Sequence, residues 1–454
     1  MLYKIAAIVH KLLKSFFNKK AKKFKGDFFY IYKNGFFTIS KNDISKTAYI
    51  NDEIFSSKYA IVSSANLFFG ENAGINIKIE ASQSSVIQED MDFRSGSAFY
   101  AWLYCLKNAI IKEGFRNSGF CINGYTFEEN QYCLSSWIWT SAAVARCFLE
   151  FGDLKRAKII ANAFIREQQQ CGAWIVRYDF SENAIVPMLA PNDSAYIAKN
   201  CLLSLYIATH EDIYLDCAIK CASWIMQNCR FDGLVSNGFN LAISKWEEEF
   251  IIVDTGFTAG LFAALFKITG KIKYRNFLES FIITFVKKFF DKDCFLFATS
   301  IDRNGKKLGG YFARGQAWAL EGLIPAYEVL GHMHLFELIE SCINAIIDKQ
   351  NKNGSWPYNL SRRYMGEDCK GTSVIALSLI KWYKYSSFKE KILKSCKAAL
   401  EWCEKHTEMD GPQAGMIFSY SFEGAVVHHP YSSTAFIYAT AYALELKKAL
   451  DEIS

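Results

Sequence analysis

No stretch of this chain approaches the roughly eighteen uninterrupted apolar residues that a membrane-spanning helix needs. The features of a secretory signal are also missing. The longest apolar run near the start is Ile5 to Val9, no small-residue cleavage site follows it, and export is not expected. Residues 1–26 lack any acid, yet carry Lys4, Lys11, Lys14, Lys19, Lys20, Lys22, Lys23 and Lys25. Of the formal net charge of +6, those eight lysines supply more than the whole, so the remainder of the chain sums to −2. A basic nucleic-acid-binding face on the body is thereby excluded. Metal-ligand spacing is absent as well: Cys217 and Cys221 are four apart with Cys229 beyond them, and no His lies nearby at ligand spacing. No metal and no cofactor are expected. The fourteen cysteines are scattered, with Cys133, Cys201 and Cys342 at core-facing helix positions, which reads as free thiols in a reducing compartment and hence as a cytoplasmic protein.

What is present is a repeat. Small or capping residues open an apolar helix at Ser135-Ser136, Asp193-Ser194, Asp254-Thr255, Arg314-Gly315, Gly371-Thr372 and Ser432-Ser433, in steps of 58, 61, 60, 57 and 61 residues. A repeated supersecondary unit cannot bury its own apolar face and must stack on its neighbours. Each unit is a helical pair. Its first helix is apolar nearly all round, as in Thr258–Phe266, and its second is amphipathic, as in Tyr274–Lys288. Comparable second helices are expected over 153–169, 212–228, 334–350 and 388–406, and a helix near 97–113 supplies the sixth. The expected fold is all-α, an (α/α)6 barrel or six-hairpin toroid. An open helical solenoid is the other reading, but both ends of the array are as apolar as its middle, unlike capping repeats.

Three regions follow in order. Residues 1–26 form a lysine-rich amphipathic tail, with Leu2, Ile5, Val9, Leu12, Leu13 and Phe16 on one side; it suits peripheral contact with an anionic membrane at its cytoplasmic face, or a solvated tail. Residues 27–94 turn to short β-like runs. Phe28–Tyr32 and Phe36–Ile39 flank Asn34-Gly35, a hairpin signal, and Ile75–Ile79 suggests another strand. Residues 95–450 hold the barrel. Asp232-Gly233, Asn353-Gly354 and Asp410-Gly411 stop second helices, so the long segments that follow gather where the first helices begin.

That end is where chemistry is expected. Six helix N-termini direct free N–H groups and positive dipole ends into one hollow, which suits an anionic ligand. Arg177, Arg314, Arg362, Arg363, His428 and His429 lie in or beside the segments leading there, as do Trp137, Trp174, Trp246, Trp318 and Trp356. Aromatic plates with cationic and amide donors suit the C–H faces and carboxylate of an acidic sugar in an oligosaccharide; each Trp could equally fill core. Asp193 and Asp254 head successive first helices, one repeat apart. Capping would explain an Asp before Ser or Thr. It does not explain Arg314-Gly315-Gln316, which puts a guanidinium and an amide beside Trp318.

Val253-Asp254-Thr255-Gly256-Phe257, followed sixty residues on by Ala313-Arg314-Gly315-Gln316-Ala317-Trp318-Ala319-Leu320-Glu321-Gly322-Leu323, resembles the unsaturated glucuronyl hydrolases and the related unsaturated rhamnogalacturonyl hydrolases. The likeness covers roughly residues 97–450. It implies a six-hairpin barrel that hydrates the C4=C5 double bond of a terminal unsaturated uronic acid without a metal. Asp254 would match the general acid/base and Asp193 the second essential aspartate, with Gln316 and Trp318 near the sugar; Asn192 stands where the family usually has His. A charged neighbour that raises one aspartate's pKa would keep it protonated for donation. From their place in the segments leading to the hollow, Arg314, Trp137, Trp246, His428 and His429 complete the expected substrate-binding set. Two other readings keep the fold: an inverting glycosidase on a saturated glycan, and a glycan-binding or assembly protein in cell-surface polysaccharide synthesis without turnover.

Overall fold

A computed structural model describes residues 97–453 except 116, 128–130, 134, 180–183, 248, 364–365 and 420–433, together with the backbone of 27–32 and 35–40. The tail, the Ile75–Ile79 segment and both His428 and His429 lie outside these residues. Asp27–Tyr32 and Gly35–Ser40 pair antiparallel with Tyr32 opposite Gly35, the hairpin expected at Asn34-Gly35.

The helices are α1 (Ala98–Asn108), α2 (Ile138–Glu150), α3 (Leu154–Glu167), α4 (Pro191–Ile197), α5 (Ser204–Thr209), α6 (Asp212–Gln227), α7 (Phe257–Thr269), α8 (Ile272–Phe289), α9 (Ala313–Leu330), α10 (Met333–Ile347), α11 (Thr372–Trp382), α12 (Lys389–Lys405) and α13 (Ile437–Ile453). A π-helical turn, Ala198–Leu203, joins α4 to α5, so the two form one inner helix. The inner ring is therefore α2, α4/α5, α7, α9, α11 and α13. Each packs on the next, and α13 packs back on α2. That last contact closes the ring and excludes an open solenoid. Around it stand α3, α6, α8, α10, α12 and α1, amphipathic because only one face meets the ring. Among the described residues, no helix is long and apolar enough to cross a membrane.

Inner-to-outer links are short, as at Gly270, where φ is 66° and the chain turns within two residues from α7 into α8. Outer-to-inner links are long and gather at the opposite end, which forms the mouth. There they pair into small antiparallel sheets. The largest runs in the order Lys245–Trp246, Phe239–Asn240, Ala184–Leu189, Ile175–Asp179, Ser135–Trp137. A second sheet pairs Thr434–Phe436 with Gly124–Thr126 and so laces the last repeat to the first.

The repeat also accounts for two of the tryptophans. Trp174 donates its indole N–H to the Phe164 carbonyl at 2.7 Å, and Trp356 does the same to Ile346 at 2.8 Å. Gln168 and Gln350, in the turns before them, each clamp the neighbouring outer helix through the carbonyls of Cys217 and Ser395. Gly354, expected as a helix stop, has φ 96°, and a Cβ there would collide with the Ala398 carbonyl, so glycine is required. All fourteen cysteines are free; Cys201 and Cys342 are buried and Cys133 is half-buried.

Candidate active site

Asp193 and Asp254 lie at the mouth on adjacent inner helices, and neither is a cap. Helix α4 starts two residues before Asp193, with Ala190 as its N-cap, and no side-chain cap bond is made. Asp254 lies in a 3-10 turn, Val253–Gly256, that begins α7 and packs against α4. Asp193 is buried, and its Oδ2 has no hydrogen-bond partner among the described residues. Burial pushes its carboxyl from the ordinary 3.8 up to about 7. The cause is therefore desolvation, where the sequence had suggested a charged neighbour. Asp254 is half-buried and within reach of solvent.

The next inner helix brings Arg314 to the same level. Its Nη1 donates to the Tyr438 hydroxyl at 2.8 Å, its Nε lies 3.7 Å from an Asp368 oxygen, and its guanidinium sits 5.5 Å from the centre of the Tyr358 ring. Lys370 lies alongside, its backbone N–H donating to Asp368 and its ammonium 5.4 Å from the Phe436 ring centre. Arg314, Lys370 and Asp368 are all buried there, where the low dielectric strengthens charge interactions.

Below this level lies an aromatic layer. Trp318 meets Trp139 edge-on at 5.8 Å, and it also touches the rings of Tyr196, Phe257, Tyr438 and Tyr442. Helical spacing explains the stacking: Arg314, Trp318 and Glu321 share one face of α9. Trp318 is buried under these neighbours, whereas Trp139 stays half-buried. Trp137 is buried on its strand opposite Arg177, whose guanidinium lies 5.5 Å from the indole centre.

Two residues expected to touch substrate point elsewhere. Gln316 is fully buried on the opposite face of α9 from Arg314. Its amide donates to the Phe297 and Phe312 carbonyls and accepts from the Phe297 N–H at 2.8 Å. It holds the Leu296–Phe297 strand against the helix and has nothing left for a sugar. Trp246 packs on Trp224 of the outer helix α6 at 5.7 Å, and on Phe239, so it braces the mouth sheet from outside.

Closing the axis beneath the aromatics is a charged plug that sequence reading missed. Arg146 of α2 donates Nε to both oxygens of Glu445 of α13 at 3.0 Å and Nη1 to Asn200 at 2.9 Å. Glu321 of α9 receives Lys199 at 3.1 Å and Lys381 at 3.2 Å, with Arg146 at 3.6 Å. Burial raises the Glu321 pKa, but the three cations outweigh it and hold the carboxyl well below its usual range. The π-helical turn lets the consecutive Lys199 and Asn200 both face the axis, which a regular helix would not allow. The signal was available: single charges inside helices apolar all round, such as Arg146 and Glu321, must be paired. Trp139 could be found too, since it follows the small pair Ser135-Ser136 by three residues, as Tyr196 follows Asp193 and Phe257 follows Asp254.

No curated protein matches the chain at a significant level. Among solved structures it is similar to an unsaturated glucuronyl hydrolase specific for heparin, at 16% identity and a TM-score of 0.61 over 83% of this chain and 98% of that one. Also similar are the unsaturated glucuronyl hydrolase of Bacillus sp. GL1, responsible for glycosaminoglycan degradation (15%, TM-score 0.59, covering 79% and 95%), and that of Streptococcus agalactiae (16%, 0.60, 79% and 91%). These likenesses establish the shared six-hairpin fold. The profile of glycosyl hydrolase family 88 matches residues 135–444, more than half of the chain, from the strand before α2 into α13, and the chain is accordingly a glycoside hydrolase belonging to that family.

Proposed function

We propose that this protein releases a terminal unsaturated uronic acid from an oligosaccharide by hydrating its C4=C5 enol ether, with Asp254 as general acid and base. What supports the reading is the pair Asp193 and Asp254, which head adjacent inner helices at the end of the ring where Arg314 opens the next inner helix. Asp254 gives its proton to C4, water adds at C5 and returns a proton to the carboxylate, and the resulting hemiketal opens to release the neighbouring sugar. Asp193, raised by burial to about 7, is partly protonated at neutral pH and in that form can donate a hydrogen bond to the sugar. Trp139 packs against the sugar C–H groups. Arg314 and Lys370 supply positive charge that favours an acidic sugar over a neutral one.

The direct assay follows the loss of the enol-ether absorbance during incubation with lyase-generated uronyl oligosaccharides. Asp254→Asn should lower kcat by about 10²–10⁴-fold with KM little changed. Full activity in that variant would end the assignment. In deuterated water the reading further requires one deuterium at C4 of the product, which an inverting cleavage of the glycosidic bond would not introduce.

A further inference from the structure

The end of the barrel opposite the mouth carries a pattern that the hydrolase reading does not use. Each outer helix has one exposed large apolar residue in or just before its first turn: Tyr100, Leu154, Ile213, Ile272, Met333 and Phe388. Their exposures run from 37% to 66%. With Ile207 they make seven of the eleven exposed large apolar residues among the described residues. Singly, such residues mean nothing. Here such a residue recurs at the start of all six outer helices, so the side chains lie at the base end of the ring.

Charge accompanies them. Lys155 follows Leu154, Lys271 and Lys273 flank Ile272, and Lys389 follows Phe388, all exposed. The Ile213 corner is acidic through Glu211 and Asp212, but Glu211 is matched by Lys158 of the neighbouring hairpin at 2.6 Å. The chain also enters the barrel here, since α1 runs from base to mouth as the other outer helices do. The preceding sequence contains the acid-free segment 1–26 with its eight lysines.

We propose that the base is a membrane-docking face that seats its apolar rim in an anionic lipid surface and turns the mouth away from it. Six apolar points at one end of the ring, three of them beside exposed lysines with Glu390 as the acid next to Lys389, suit an anionic lipid surface. A protein partner would instead call for one contiguous apolar patch. The proposal is independent of the reaction assigned to the mouth.

The test is co-sedimentation of the full-length protein with vesicles of phosphatidylcholine alone or with about 30% phosphatidylglycerol, an anionic lipid. Wild type should bind the anionic vesicles and not the neutral ones. The triple variant Ile272→Asp, Met333→Asp, Phe388→Asp should weaken that binding by about tenfold or more. The mouth-side control Leu241→Asp, Ile243→Asp should bind as wild type does. All five sites are exposed, and near-ultraviolet circular dichroism checks that folding is intact. The proposal is overturned if wild type fails to bind, if the base variant binds equally well so that residues 1–26 suffice, or if the control is weakened as much. It is equally overturned if the base variant instead abolishes self-association of the protein in solution, which would make the base a contact between copies.

Discussion

Asp193→Asn should stabilise this protein as strongly as it inactivates it, and the stabilisation should depend on pH. The carboxyl has an ordinary pKa of 3.8 when unfolded and about 7 when folded, because burial disfavours its charged form. Between those values the folded state binds more protons than the unfolded one, so stability falls as pH rises through the window and levels off above it. At 1.36 kcal/mol per unit, the folded state loses about 1.7 kcal/mol at pH 5, where the unfolded Asp193 ionises and the folded one keeps its proton, and about 4 kcal/mol at pH 8, where both ionise. An asparagine has the same shape without that cost. Urea unfolding of both proteins at pH 5, 6, 7 and 8 should therefore show the variant ahead by a margin that widens by about 2.5 kcal/mol across the series. A margin that stays constant with pH, or a wild type more stable than the variant at pH 8, would refute the claim that Asp193 is buried and neutral at the mouth.

Three further outcomes follow from the same geometry. Trp139→Ala should raise KM about tenfold, the loss of one stacked face, with a smaller effect on kcat in the enol-ether assay. Gln316→Leu should leave the Phe297 N–H and carbonyl unpaired and lower stability by about 1–3 kcal/mol while KM stays as it is; a large rise in KM at unchanged stability would return Gln316 to the substrate. Glu445→Gln leaves Arg146, Lys199 and Lys381 to share the one remaining carboxylate of the plug, Glu321, and should cost about 3–5 kcal/mol in chemical unfolding; pairing it with Arg146→Met should recover much of that loss.

The ring of hairpins was legible because it depends on periodicity. A helix apolar on all sides followed by one apolar on a single side, six times over at nearly constant spacing, leaves few ways to bury every face. The boundaries held as well: Ile272–Phe289 and Asp212–Gln227 fall where charge and apolar spacing put them. The two aspartates were found for a related reason, as helix-start residues one repeat apart. Their freedom from capping was not legible, since an Asp before Ser or Thr reads as a cap, and only the position of Pro191 and the 3-10 turn at Val253 shifts each carboxyl into the helix.

Gln316 and Trp246 mark the limit from the other side. Both stand beside residues that do face the mouth, and a one-dimensional reading assigns neighbours the same role. On a helix, two residues apart is more than half a turn, so Gln316 faces the outer wall when Arg314 faces the axis. Along a strand, alternate residues face opposite ways, and Trp246 turns toward α6. The sequence by itself determined how many staves there are, which of them are buried and which end gathers the loops, because burial of apolar surface is written in spacing. Which side chains meet across the axis, whether a carboxyl there keeps its proton, and where Arg146 and Glu321 find their counter-charges were decided only when α13 closed on α2. Those quantities depend on distances between residues up to three hundred apart in the chain, as Arg146 and Glu445 nearly are, and no local pattern records them.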